Sequence, residues 1–114
     1  MARLKLEAFD VVVVPFPFTD RTASKRRPAV VVSTGAFNHA ESHSVLAMIT
    51  SAEQSDWIGD YPIVNLQSAG LPSPCIVRLK LFTLDHRLVL RKAGALSAAD
   101  QKHLRAHWKG LLAL

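Results

Sequence analysis

Apolar positions along this chain fall into two kinds of pattern, short β-like runs first and one helical stripe at the end. Val11 to Val14 is an unbroken β-branched run and predicts a buried strand. Pro15-Phe16-Pro17-Phe18 follows it. Neither proline can donate to a ladder, so that end of the strand lies at an edge or a bend. Thr19 to Arg27 is polar and charged and reads as a loop. Pro28 opens a second apolar strand, Ala29 to Val32, which Ser33-Thr34-Gly35 ends. Ala36 to Glu41 fits one helical turn, and Val45 to Thr50 a third strand.

Ser51 to Gly59 is a polar connection carrying Trp57, and Asp60 to Val64 a short fourth strand weakened by Pro62. Gln67 to Pro74 reads as a loop. Cys75 to Leu81 alternates cleanly: Val77, Leu79 and Leu81 share one face, Ile76, Arg78 and Lys80 the other. His86 to Arg91 is expected to be a sixth strand, closed by Gly94. The period then changes. Ser97 and Asp100 form a capping-box pattern, and Leu104, Trp108, Leu111 and Leu112 make one apolar stripe opposite Lys102, Arg105 and Lys109. The stripe is expected to pack on the chain's own strands. No long helix separates two strands, so a parallel sheet is not expected. The class is mostly β with a C-terminal α-helix, arranged as a small bent sheet or barrel.

Composition narrows the function. At 114 residues the chain is expected to form one domain, residues 1–114, too short for a βα-barrel. With 49% hydrophobic and 20% charged residues it is globular in composition. No run has the ~18 apolar residues of a membrane span, and Met1 to Phe9 lacks the apolar segment of a secretory signal, so no membrane association and a cytoplasmic location are expected. The lone Cys75 has no internal disulfide partner. Fourteen Lys and Arg against nine Asp and Glu give a net charge of +5, which favours polyanionic partners, nucleic acid first.

The densest charge is Asp20, Arg21, Lys25, Arg26 and Arg27. Arginine grips phosphate with two parallel hydrogen bonds, so this cluster can clamp a phosphate; equally, it can keep an edge strand soluble. Arg27 precedes Pro28, which restricts its backbone to extended conformations and holds it at the strand entrance. Thr50 and Ser51 place two hydroxyls at the end of the third strand, where they can meet phosphate oxygens or serve as an ordinary polar exit. His39 with His43, and His103 with His107, have the i, i+4 spacing of helical metal ligands, but no third ligand completes either pair and no metal site is expected. There is no glycine-rich phosphate loop, G-x-S-x-G elbow or paired-carboxylate motif, so no cofactor is expected.

Four blocks in order, Val11-Val-Val-Val-Pro-Phe-Pro-Phe-Thr-Asp20, Ser24-Lys-Arg-Arg-Pro-Ala-Val-Val-Val32, Ala47-Met-Ile-Thr-Ser51 and Val77-Arg-Leu-Lys-Leu-Phe-Thr-Leu-Asp85, resemble the MazF/PemK family of toxins from type II toxin–antitoxin systems. The resemblance spans nearly the whole chain from Phe9. It implies an SH3-like β-barrel of the MazF/PemK/CcdB kind, a homodimer, and metal-independent cleavage of single-stranded RNA to a 2′,3′-cyclic phosphate and a 5′-hydroxyl. A cognate antitoxin would block the RNA groove. The resemblance assigns catalysis to Arg27 and Thr50. Lys25, Arg26, Ser51, Arg78 and Lys80 are the candidate RNA contacts, and Trp57 is placed to stack on bases. The chain departs from the pattern where Phe9 replaces a glycine, where Lys80 stands at a position that is acidic in some members, and in having no histidine between Asp10 and Ser33. Lys80 motivates an alternative, an inactive relative that only binds RNA or antitoxin; a gyrase poison is a further one.

Overall fold

The computed structural model describes residues 4–16, 25–53 and 56–114. Its strands are β1 (Asp10–Phe16), β2 (Lys25–Val31), β3 (His43–Ser51), β4 (Tyr61–Pro62), β5 (Cys75–Asp85) and β6 (Arg91–Ala95), with helices α1 (Gly35–Glu41), α2 (Leu66–Ala69) and α3 (Ala98–Trp108). They form one sheet in the order β4-β5-β3-β2-β1-β6, every pair antiparallel. The sheet is curled into a half-barrel. Register shifts between Val11 and Val12 and between Ala47 and Ile49 supply local bends of the kind that curl needs.

Both faces of the sheet are covered, which is why β1 reads as a continuous apolar run rather than an alternating one. Val11, Val30, Ala47, Ile49 and Val77 face one core, closed by Leu104 and Trp108 of α3. Val12, Val14, Ala29, Val31, Leu46 and Leu84 face the other, closed by Leu6. The expected stripe on the last helix therefore packs on its own sheet, although α3 ends at Trp108 and leaves Leu111 and Leu112 beyond it.

Several boundaries differ from the sequence reading. Lys25 to Arg27 are strand, not loop: they pair with Phe16, Pro15 and Val14 of β1. Polar composition misled there, because the strand's exposed end carries charge. Asp20, Arg21 and Pro17 lie outside the described residues. The sixth strand is displaced. His86–Leu88 is a 3₁₀ turn capped by the Asp85 carboxylate, which accepts from the Arg87 N–H at 2.9 Å, and the strand runs Arg91–Ala95. Leu88 and Val89 are apolar because they pack on the second core, not because they alternate in a strand. Gly94 sits inside β6 rather than closing it. A Cβ there would lie 2.4 Å from the Ser68 carbonyl oxygen, so α2, which overlaps the start of the expected Gln67–Pro74 loop, presses directly on the strand.

Phe9, in the place of the expected glycine, has φ +71°. A bulky residue in the left-handed region costs roughly 1–3 kcal/mol. The residue is 9% exposed and its ring lies 5.0 Å from the Arg105 guanidinium, contacts a glycine would not make and which offset that strain.

Candidate nucleic-acid interface

Strand register determines which candidate residues share a face. Arg27 pairs with Val14 and Lys25 with Phe16, so both point to the side of the second core. Thr50 pairs with Ile76, and alternation along β5 puts Ile76, Arg78, Lys80, Phe82 and Leu84 on that same side. Lys80 Nζ sits 5.9 Å from the centre of the Phe16 ring, although β3 and β2 lie between their strands. The curl brings the two ends of this face together over its polar end.

Pairing between β2 and β3 runs Val31↔Leu46, Val30↔Ala47, Ala29↔Met48 and ends there. The next residue of β2 is Pro28, which has no N–H with which to extend the ladder. The same register carried two residues further sets Arg27 opposite Thr50, at the point where no ladder joins the strands. Arg27 is exposed and Thr50 partly buried. Arg27, Thr50, Lys25 and Lys80 thus share one face of the sheet beside the end of the β2–β3 ladder, a set of donors of the type that suits a phosphodiester.

Not every sequence candidate joins them. Arg26 pairs with Pro15 and Ser51 with Cys75, so alternation directs both to the opposite face. Arg78 is on the shared face, but its side chain is only 11% exposed. Its Nε and Nη2 donate to the two Asp60 oxygens at 3.0 and 2.9 Å, and its guanidinium lies 5.0 Å from the Trp57 ring. The Arg78 fork holds the Asp60 carboxyl below its ordinary range.

Sequence reasoning missed Asp60 as a site component. Its other partner is the Trp57 N–H, which donates to Oδ2 at 2.9 Å. The local spacing Trp57-Ile-Gly-Asp60 hints at such a turn; the pairing with a strand eighteen residues on does not. The turn is pinned from behind by α3, where the buried Trp108 indole N–H donates to the Gly59 carbonyl at 2.7 Å. At the other end of α3, Asp100 is 1% exposed and accepts from Tyr61, Val64, Asn65 and Ser97. Burial alone would raise its carboxyl, but those hydrogen bonds, Tyr61 foremost, bring it below the ordinary range. The Tyr61 phenol is pushed up to about 12, first by burial and then by that carboxylate.

His39 and His43 stand apart from this face's polar end. His39 lies on α1, 3.1 Å from Glu7, whereas His43 opens β3, so they share no helix. His86 Nε2 is 2.7 Å from the buried Ser44 hydroxyl.

A family model described as PemK-like, MazF-like toxin of type II toxin–antitoxin systems matches residues 7–111. Solved structures share the fold. The structure of MazE–MazF from Deinococcus radiodurans matches with a TM-score of 0.73 at 19% identity, over 97% of this chain and 98% of the matched one. An endoribonuclease in complex with its cognate antitoxin, from a mycobacterial species, gives 0.73 at 15% identity over 96% and 95%. Mycobacterium tuberculosis toxin MazF-mt6 gives 0.70 at 18% identity over 89% and 93%. No match was found among curated proteins.

Proposed function

The chain belongs to the PemK-like, MazF-like toxin family of type II toxin–antitoxin systems, and from that premise we propose that it is a metal-independent, sequence-specific endoribonuclease that cuts single-stranded RNA. What supports the reading is that Arg27 and Thr50 lie on one face of the sheet, two residues beyond the last pair of the β2–β3 ladder on their respective strands. The RNA 2′-oxygen forms a bond to phosphorus while the bond to the 5′-oxygen breaks. The 2′-proton leaves to a base, a proton reaches the 5′-oxygen, and the products are a 2′,3′-cyclic phosphate and a 5′-hydroxyl. Arg27 offsets the charge that accumulates on the phosphorane and is a proton source for the leaving oxygen; Thr50 orients a non-bridging oxygen. Lys25 and Lys80 hold flanking phosphates. The need for a 2′-hydroxyl makes RNA, not DNA, the substrate.

The toxin acts in the cytoplasm as a homodimer and is silenced by a cognate antitoxin, a pairing supported by the solved complex of a mycobacterial endoribonuclease with its own cognate antitoxin. Labelled single-stranded RNA of varied sequence, incubated with the protein in EDTA, tests the reading. Cleavage is expected, and Arg27→Ala should slow it by about 10²–10³-fold, the usual loss for one donor to a developing oxyanion, at unchanged thermal stability. Intact RNA at micromolar protein rejects it. Lys80, where some relatives have an acid, favours a second reading, an inactive RNA-binding relative. Gel shift without cleavage would establish that one instead.

A further inference from the structure

Trp57 and Arg78 stand in an arrangement that the cleavage chemistry leaves unused. Trp57 is 45% exposed as a residue, large for an aromatic that the chain could have buried. Beneath it, 5.0 Å from the ring centre, is the Arg78 guanidinium. That guanidinium cannot swing: two of its nitrogens are engaged by Asp60 in a bidentate pair, and both side chains are about nine-tenths buried. Asp60 also accepts from the Trp57 backbone N–H, and the Asp60 N–H donates to the Trp57 carbonyl at 3.1 Å, so the carboxylate fixes the backbone that carries the ring as well as the cation under it. Trp108 clamps the intervening Gly59. One side of the indole is thus braced by a planar group, and the residue keeps nearly half of its surface in solvent. Arg78 lies two residues from Ile76, the partner of Thr50, on the shared face.

We propose that Trp57 is the stacking surface for one unpaired base of the RNA, next to the phosphate held by Arg27 and Thr50, and that Arg78 is a positioning residue that fixes the plane of the ring rather than a phosphate contact. The inference rests on the nuclease reading above. An exposed ring with its plane fixed before binding loses little freedom on stacking, and a base stacked on an aromatic is held by its π-face whatever its identity. Selection of bases at this position then follows stacking strength, purines above pyrimidines. A guanidinium already neutralised by a carboxylate adds little phosphate attraction, so Arg78 should contribute little to the salt dependence of binding.

Fully 2′-O-methylated RNA oligonucleotides, which lack the attacking hydroxyl, report binding without cleavage. In fluorescence anisotropy, Trp57→Ala should weaken binding about 5- to 150-fold, the range for loss of one stacked base, while Trp57→Phe retains most of the affinity. An abasic substitution scanned along the oligonucleotide should find one position where the wild type loses the same factor and Trp57→Ala loses no more. Arg78→Lys, which keeps the charge but not the planar fork, should weaken the intact oligonucleotide and leave both the abasic one and the salt slope unchanged. Indole fluorescence should be quenched on binding in the wild type and not in Trp57→Phe. Wild-type-like affinity in a folded Trp57→Ala overturns the inference alone, including the case where that variant instead alters the oligomeric state and marks the ring as a protein contact. Failure of the wild type to bind any oligonucleotide overturns the nuclease reading and this inference together. Binding that follows the pattern above in a protein that does not cut RNA upholds the stacking role and removes only the catalytic one.

Discussion

Replacing Asp100 with asparagine changes one atom and should cost much of the molecule's stability. The carboxylate is buried between α3 and the chain after β4, and all its known partners donate to it. Oδ1 takes the Tyr61 hydroxyl at 2.6 Å and the Val64 N–H at 3.1 Å; Oδ2 takes the Asn65 N–H at 2.9 Å and the Ser97 hydroxyl at 3.2 Å. In Asp100→Asn an NH₂ replaces one oxygen. Either orientation turns it against a hydroxyl, which can rotate to accept, and against a backbone N–H, which cannot. One buried N–H is left unpaired, at about 1–3 kcal/mol, and the remaining hydrogen bonds lose their charge assistance, for about 2–5 kcal/mol in all. For a 114-residue chain that lowers the thermal midpoint by roughly 8–20 °C. Scanning calorimetry measures it. The chain's single tyrosine supplies an independent readout. Its phenol, near 12 in the wild type, should titrate at lower pH in the variant by ultraviolet absorbance, because the carboxylate's share of the shift is gone and only burial remains. A midpoint that falls by less than about 4 °C, with an unmoved phenol, would refute the view that Asp100 joins α3 to the β4 segment.

Two further outcomes are expected. Gly70→Ala should destabilise by about 3 kcal/mol or more in urea unfolding, since residue 70 has φ +72° and its new Cβ would lie 2.2 Å from the Ala93 carbonyl oxygen; a near-neutral variant would mean that α2 does not press on β6 as described. The carboxyls of Asp60 and Asp100 are held below their ordinary range and that of Asp85 is lowered to about 2. Depressed folded-state values mean that the unfolded chain takes up protons first as pH falls. Their stabilisation is therefore whole above about pH 5 and is lost progressively as pH falls from about 4 through the lower folded-state values, and an unfolding free energy that stays level from pH 5 to pH 3 contradicts the assignment.

Much of this was legible in the residues. Val11–Val14 and Ala29–Val32 announced buried strands because unbroken apolar runs fit a sheet covered on both sides. Ser97 announced the start of α3, since the Asp100 N–H does donate to its hydroxyl at 3.1 Å. Arg27 and Thr50 were visible as chemistry-bearing types at strand ends. What escaped was non-local or hidden by composition. Lys25 to Arg27 look like loop residues, and only their pairing with β1 makes them strand. Which face each cation takes follows from register, a property of two strands at once, so Arg26 could not be separated from its neighbours. Leu88 and Val89 are apolar without being in a strand. Asp60 acquires its partner from a strand distant in sequence, and the second use of Asp100, as acceptor for the β4 segment, lies outside its cap motif.

The missing hydrogen at Pro28 has one last implication. Backbone edges left side by side normally zip together, and a gap between them would ordinarily have to be prised open by whatever enters. Here an imino acid removes the donor of the next rung, so the end of the ladder is a covalent property of the polymer. On the proposed reading the RNA meets the strands already parted from their ladder, and none of its binding energy is spent on breaking that rung.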